Sequence, residues 1–316
     1  DFVGPKGDRR RVVGVIGALG LEPFGDASGV LPHERTMPGP KEDRLALMHA
    51  CPVNISPIYA IYRGAGQLRP FFDTLEQRQP EARWADDTGI LHRCWVVAAP
   101  AEVELIRTAL APGPLVIADG HHRYETALEF HSQNAGKPGD HGSIMTFCVD
   151  VDSEELVVLP YHRALRAQTD DALSSLTEGF GAVRSDGDHE EVLNSSSFDH
   201  PFVIALKAAS VVAGVSDEQV VRATGERHHA WRALDVVALH EVLIPAVFGE
   251  VDELRFSRDA DEIRELVDSG WDAGVLLRAL GATEVVDVAS SGERMPQKAS
   301  YFWPKALTGL VFHSLR

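Results

Sequence analysis

Leu115-Val-Ile-Ala-Asp-Gly-His-His-Arg-Tyr-Glu-Thr-Ala127 decides how the first half of the chain is read. Four apolar residues, two of them β-branched, predict a short buried strand over 115–118. Asp119-Gly120 is a turn dipeptide, and residues 124–133 carry a helical pattern. A helix that starts on such a turn offers unbonded N–H groups and a partial positive charge, both suited to an oxyanion. Asp119 can cap orphan amides, and Gly120 permits an unusual dihedral or the close approach of a ligand. His121 and His122 add donors, and Arg123 supplies a planar fork matched to phosphate oxygens. The bland alternative is a capping aspartate beside histidines that satisfy core groups. The concentration of these residue types at one strand–helix junction favours a phosphate-binding turn.

Outward from that segment, strands and helices alternate. Residues 12–21, 58–62 and 91–98 read as strands, and 41–50, 67–79 and 101–110 as helices. Residues 144–150 and 156–160 read as a strand pair across a polar turn. The expected fold class is α/β to α+β, with a first mixed-sheet domain over 1–167. The acidic, Ser-rich stretch 168–200 marks the boundary. A second α+β domain follows over 168–316, with strands near 202–207 and 220–223, helices over 235–247 and 259–269, and a short regular segment over 271–280.

Three further stretches carry chemistry-bearing residues. The Gly- and Pro-rich loop around Val30-Leu-Pro-His-Glu-Arg-Thr36 holds His33, Glu34 and Arg35, with Lys41 beyond it. Loops with ionisable side chains favour catalysis. Glu34 is a candidate general base or magnesium ligand, and Arg35 and Lys41 are candidate phosphate contacts. A solvated loop with weak ion pairs is the competing reading. Near the C-terminus, Lys298 and Lys305 sit among aromatics that could stack on a flat ligand or simply pack into the core. Pro160-Tyr-His-Arg163 repeats the His-Arg theme, while His228-His229 reads as solvated surface.

The formal net charge is −17, an acidic field that opposes a DNA-binding role. The three cysteines, Cys51, Cys94 and Cys148, form no CxxC and argue against a disulfide framework or a structural zinc site. No apolar run is long enough for a membrane span, and no secretory signal is legible. The expected location is the cytoplasm, with no nucleic-acid or membrane partner and oligomerisation left open. GxxxxGK[ST], GxSxG, HExxH and a strand-linked GxGxxG are all missing, so phosphate binding here uses another device.

PHERT (32–36), KEDRLAL (41–47), NISPIY (54–59), IADGHHRYETA (117–127), PYHR (160–163) and MPQKASYFWPK (295–305), in that order, resemble the family called domain of unknown function 1015. That resemblance implies a family segment preceding the counterpart of Val12, so the first domain is expected to be N-terminally truncated. Asp119-Gly-His-His-Arg-Tyr124 is also similar to the phosphate signature of the ParB/sulfiredoxin superfamily, which includes CTP-hydrolysing partition proteins, sulfiredoxin and ADP-dependent free-serine kinase. The likeness implies that Gly120, His121, His122 and Arg123 cradle nucleotide phosphates. His121 stands where sulfiredoxin has its catalytic cysteine, and the charge does not support DNA partitioning, so the kinase branch fits best. The resulting expectation is a magnesium- and nucleotide-dependent (ATP/ADP) phosphotransferase acting on a small hydroxylated metabolite such as serine, or the reverse phosphatase. Glu34, His33 and His122 are its catalytic candidates. Asp119, Gly120, His121, His122, Arg123, Arg35 and Lys41 are its cofactor-binding candidates, with no protein-held metal. The rival expectations are a nucleotide-gated switch without metabolite chemistry and a metal-dependent hydrolase ligated by His33, His121 and His122.

Overall fold

Ile58–Tyr62 is buried at all five positions, as a strand covered on both faces must be. The computed structural model describes residues 1–25, 28–34, 39–152, 154–167 and 171–316, the side chains of 39–41 excepted. Its contacts divide the chain into two compact units. One comprises Asp1–Val157 with Phe302–Arg316, and the other is Val158–Tyr301.

The first unit is built on a mixed five-stranded sheet in the order Val15–Gly20, Ser143–Asp150, Ile58–Tyr62, Leu115–Asp119, Val30–Pro32. Ile58–Tyr62 runs parallel to Ser143–Asp150 and antiparallel to Leu115–Asp119, which pairs in parallel with Val30–Pro32. Alternation along the strands sets the two faces. Ile58 and Ile117 pack with Val30, Ile144 and the helix residues Tyr124 and Ala127. On the other face Tyr59 lies 5.1 Å from Phe147 and 5.9 Å from Phe302, ring centre to ring centre. Each such aromatic or aliphatic side chain, once fully buried, contributes about 1.5–3 kcal/mol. Phe302 thereby ties the C-terminal segment into the first unit's core.

Ser143–Asp150 pairs with Val15–Gly20 and Ile58–Tyr62, not with 156–160 as the sequence pattern suggested. Asp150 at its end accepts hydrogen bonds from the N–H groups of Gly64 and Gly66, both at 2.9 Å. This locks its register to Ile58–Tyr62 and ends the strand there. The helix expected over 67–79 is shorter, Arg69–Leu75. The strand expected over 91–98 is Leu91–Cys94, in a hairpin with Ala82–Ala85.

The second unit carries a six-stranded antiparallel sheet in the order Val183–Arg184, Ser210–Val215, His200–Leu206, Ala273–Leu276, His162–Ala167, Val251–Ser257. Helix Ala260–Asp268 packs Ile263 against this sheet, beside Ala164, Val203 and Leu276. Residues 220–223, read as strand from two adjacent valines, belong to helix Asp217–Thr224. Ser216 and Gln219 form a reciprocal capping box there, and this local bonding overrides the β-propensity of the valines. Within 171–200, two of the aspartates serve as helix caps. Asp171 and Asp188 accept N–H bonds at the starts of helices Ala172–Phe180 and His189–Ser195. Among the described residues, no helix is long and apolar enough to cross a membrane.

Candidate functional site

Helix His121–Gln133 begins directly after Gly120, three residues earlier than the apolar pattern alone placed it, so His121, His122 and Arg123 form its first turn. Gly120 occupies the N-cap in the left-handed region (φ 98°), and no side chain caps the helix. A Cβ on Gly120 would lie 2.9 Å from the Arg123 guanidinium and 2.9 Å from Ile58 Cγ2. The glycine is thus required twice, by its dihedral and by the close approach of Arg123. Gly120→Ala is expected to destabilise the first unit by about 2 kcal/mol, the scale of one strained backbone position. Urea denaturation measures it, and an unchanged midpoint would contradict the crowding.

Arg123 is anchored rather than dangling. One of its terminal nitrogens donates to the Ser56 hydroxyl (2.6 Å) and to the carbonyls of Pro57 (2.6 Å) and Ser56 (3.2 Å). The other donates to Asp119 Oδ2 at 2.7 Å. Asp119 Oδ1 accepts from Lys305 Nζ at 2.9 Å. Burial alone would raise the Asp119 carboxyl, but Lys305, Arg123 and His33 outweigh it and hold the group below the usual carboxylate range. Burial and the nearby charge of Arg44 weaken protonation of Arg123, while Asp119 supports it. One carboxylate thus holds two cations, Arg123 and Lys305, beside a helix N-terminus in a chain of net charge −17.

The loop from Val30–Pro32 places His33 and Glu34 against the same turn. The buried His33 ring contacts the carbonyl of Ile117 through Nδ1 at 2.6 Å, so Nδ1 carries the proton. The His33 backbone N–H donates to His121 Nε2 at 3.3 Å, which puts the His121 proton on Nδ1. That nitrogen faces Glu34 Oε1 at 3.5 Å. The two rings meet edge-on, 4.7 Å apart. Burial pushes the His33 imidazole down to about 4, leaving it neutral at pH 7. A histidine with a folded pKa below its unfolded value contributes stability above about pH 6.5, and that stability is lost as the pH falls through about 4. His33→Gln is therefore expected to flatten the stability profile between those values. An identical acid-side slope in wild type and variant urea titrations would contradict a buried neutral His33.

The turn thus brings together Asp119, Gly120, His121 and Arg123 with His33 and Glu34. His122 sits half-buried in the same turn, its carbonyl accepting the Thr126 hydroxyl. Arg35 and the side chain of Lys41 lie outside the described residues. On the opposite sheet face a cavity of about 690 Å3, lined by Tyr59, Phe147, Phe71, Trp95 and Leu110, has Lys305 at its wall. Among the described residues, no three His, Cys, Asp or Glu side chains converge as a metal-holding group. His33 Nδ1 and His121 Nε2 are both engaged with the backbone.

The family model described as a protein of unknown function, DUF1015, matches residues 4–237. The chain belongs to the DUF1015 family. No curated protein matches it at a significant level. Among solved structures, a free serine kinase variant in complex with ADP is similar at 14% identity and a TM-score of 0.47, over 98% of this chain and 93% of that one. A conserved hypothetical protein from Pyrococcus furiosus is similar at 14% identity and a TM-score of 0.45, over 97% of both chains. SbnI from Staphylococcus aureus, truncated at its C-terminus, is similar at 11% identity and a TM-score of 0.46, over 93% of this chain and 85% of that one.

In this DUF1015 chain the residues that reading the turn alone left out are Lys305 and Arg44. Lys305 is 186 positions away from Asp119 in sequence, and its signals were its place among aromatics near the C-terminus and in the MPQKASYFWPK segment of the family resemblance. Arg44 was legible only as part of the charged KEDRLAL segment (41–47).

Proposed function

We propose that the first unit is a ParB/sulfiredoxin-like nucleotide-binding domain. It uses a magnesium-bound nucleotide such as ATP or ADP to phosphorylate a small hydroxylated metabolite, with serine the first to try. The observation that carries this reading is the pair of cations, Arg123 and Lys305, held on one carboxylate at a helix N-terminus that no side chain caps. Such a group attracts an oxyanion by charge and by backbone dipoles together.

The residues present fit a nucleotide phosphate. The first turn of helix His121–Gln133 directs its N–H groups outward past Gly120, which has no side chain to block them. Lys305 and the Arg123–Asp119 pair supply charge fixed in place. Bound magnesium neutralises phosphate oxygens and so favours charge build-up in transfer. Glu34 is the carboxylate suited to an oxygen-seeking cation or to the substrate hydroxyl, because Asp119 is already committed to two cations.

Phosphoryl transfer asks mainly for positioning and charge neutralisation. The hydroxyl oxygen of the acceptor bonds to the terminal phosphorus, and the bond from that phosphorus to the bridging oxygen breaks. The hydroxyl proton passes to Glu34, whose carboxylate is oriented by His121 Nδ1–H. His33 fixes the His121 tautomer through its backbone N–H, and His122 lies at the phosphate side of the turn. With water as acceptor the same arrangement runs as a phosphatase. The setting is cytoplasmic, with a nucleotide and a metabolite as partners and no nucleic acid or membrane.

The test incubates the protein with ATP or ADP, magnesium and a panel of hydroxylated metabolites, and reads phosphorylated product by mass spectrometry. A stoichiometric product with one acceptor is expected. Nucleotide binding without any transferred phosphoryl group, to metabolite or to water, would contradict the proposed reaction and favour a switch.

A further inference from the structure

Two stretches with conspicuous residues, Pro160-Tyr-His-Arg163 and Met295-Pro-Gln-Lys298, take no part in the site above and lie within the second unit. There Arg163 is 1% exposed, yet among the described residues its guanidinium pairs with no carboxylate. It donates to the carbonyls of Tyr161 and, at 3.0 Å, of Lys298. Its Nε donates to His240 Nε2 at 3.3 Å, and the charge lies 5.5 Å from the Phe256 ring. Burial lowers Arg163 to about 9 and His240 to about 4, so at neutral pH the arginine is charged and the histidine is not. A buried, anion-free guanidinium is expensive, and proteins place such charges where they serve a ligand or a fixed field.

The surroundings add two independent signs. Lys298 has φ 57°, in the left-handed region that non-glycine residues seldom adopt, and the carbonyl of this residue is the one held by Arg163. His240 sits in the π-helical turn Leu239–Leu243, a form that recurs at functional sites. Beside the Lys298 backbone, two cations flank a pair of tyrosine rings. Lys298 Nζ lies 5.4 Å from the Tyr161 ring, Tyr161 meets Tyr301 edge-on at 5.9 Å, and Arg258 lies 4.1 Å from the Tyr301 ring. Lys298 and Arg258 are both exposed, and neither has a carboxylate partner among the described residues.

We propose that the Lys298–Tyr161–Tyr301–Arg258 row is a second ligand site, which binds the carboxylate or phosphate group of a small molecule. Lys298 and Arg258 contact the oxyanion, and the tyrosine rings hold both cations in place by cation–π contact. Arg163 is a positioning residue. It fixes the Lys298 backbone and adds a positive field that solvent cannot screen. In a chain of net charge −17, three cations that pair with no carboxylate among the described residues form a local reversal of sign.

The experiment is calorimetric titration with sodium phosphate and, separately, sodium acetate at constant ionic strength, with chloride as the control. It uses the Lys305→Gln chain, so that the turn of the first unit contributes little. Saturable binding is expected. Adding Lys298→Asn, which tolerates the left-handed backbone, and Arg258→Gln should weaken it at least about tenfold. The anion that binds tells phosphate from carboxylate. Binding unchanged by the two substitutions, or no saturable binding of either anion, overturns the proposal. Retained thermal unfolding of the variant excludes misfolding as the reason for a loss.

Discussion

Replacing Glu34 by glutamine is expected to lower the rate of phosphoryl transfer by roughly 10^2–10^4, the contribution typical of a positioned general base, while leaving nucleotide binding near the wild-type value. Glutamine keeps the shape and the contact with His121 Nδ1 but no longer accepts a proton. Steady-state kinetics on the acceptor found in the metabolite screen, beside calorimetry with the nucleotide, separates the two effects. A matching loss of nucleotide affinity would assign Glu34 to binding, and unchanged turnover would remove it from the reaction.

The second large effect concerns Arg123. Its guanidinium holds the Ser56–Pro57 backbone, the first turn of helix His121–Gln133 and Asp119 in one hydrogen-bonded unit. Arg123→Ala strands two carbonyls and half of the Asp119 pairing. It is expected to cost about 2 kcal/mol of stability, the scale of leaving partly buried hydrogen-bonding groups without their donor. Chemical denaturation reads this directly. A variant within about 0.5 kcal/mol of wild type, the usual range for an innocent surface change, would mean that the network is not formed in solution. Because Arg123 supports the fold as well as the turn, its loss is a poor probe of nucleotide affinity, and Lys305 is the better one.

The alternation of strands and helices through the first unit was legible because each central strand is a short apolar run ended by turn residues. Ile58–Tyr62 and helix Pro100–Leu110 follow from that pattern almost residue for residue. The turn at Asp119-Gly120 was legible for the same reason, because those two residues must leave the strand, although the helix begins three residues earlier than its apolar pattern. The pairing of 143–150 was not legible. Its register is fixed by Asp150 bonding to Gly64 and Gly66, more than 80 residues away in sequence. Helix Asp217–Thr224 was hidden behind Val220 and Val221, where a capping box outweighs side-chain propensity. Lys305 illustrates the same limit within the site. A lysine near the C-terminus meets Asp119 only because Phe302 anchors the last segment beside Tyr59. No local pattern encodes that return.

The turn at Gly120, with Lys305 across Asp119, is expected to hold nucleotide phosphate. The direct measurement is thermal unfolding of wild type and Lys305→Gln against rising ATP, ADP, CTP and GTP with magnesium. A ligand that binds only the folded state raises stability with the logarithm of its concentration above Kd. Such a rise is expected for at least one nucleotide in the wild type, and a clearly smaller one in Lys305→Gln at the same concentrations. No rise with any nucleotide, or the same rise in both proteins, would contradict it.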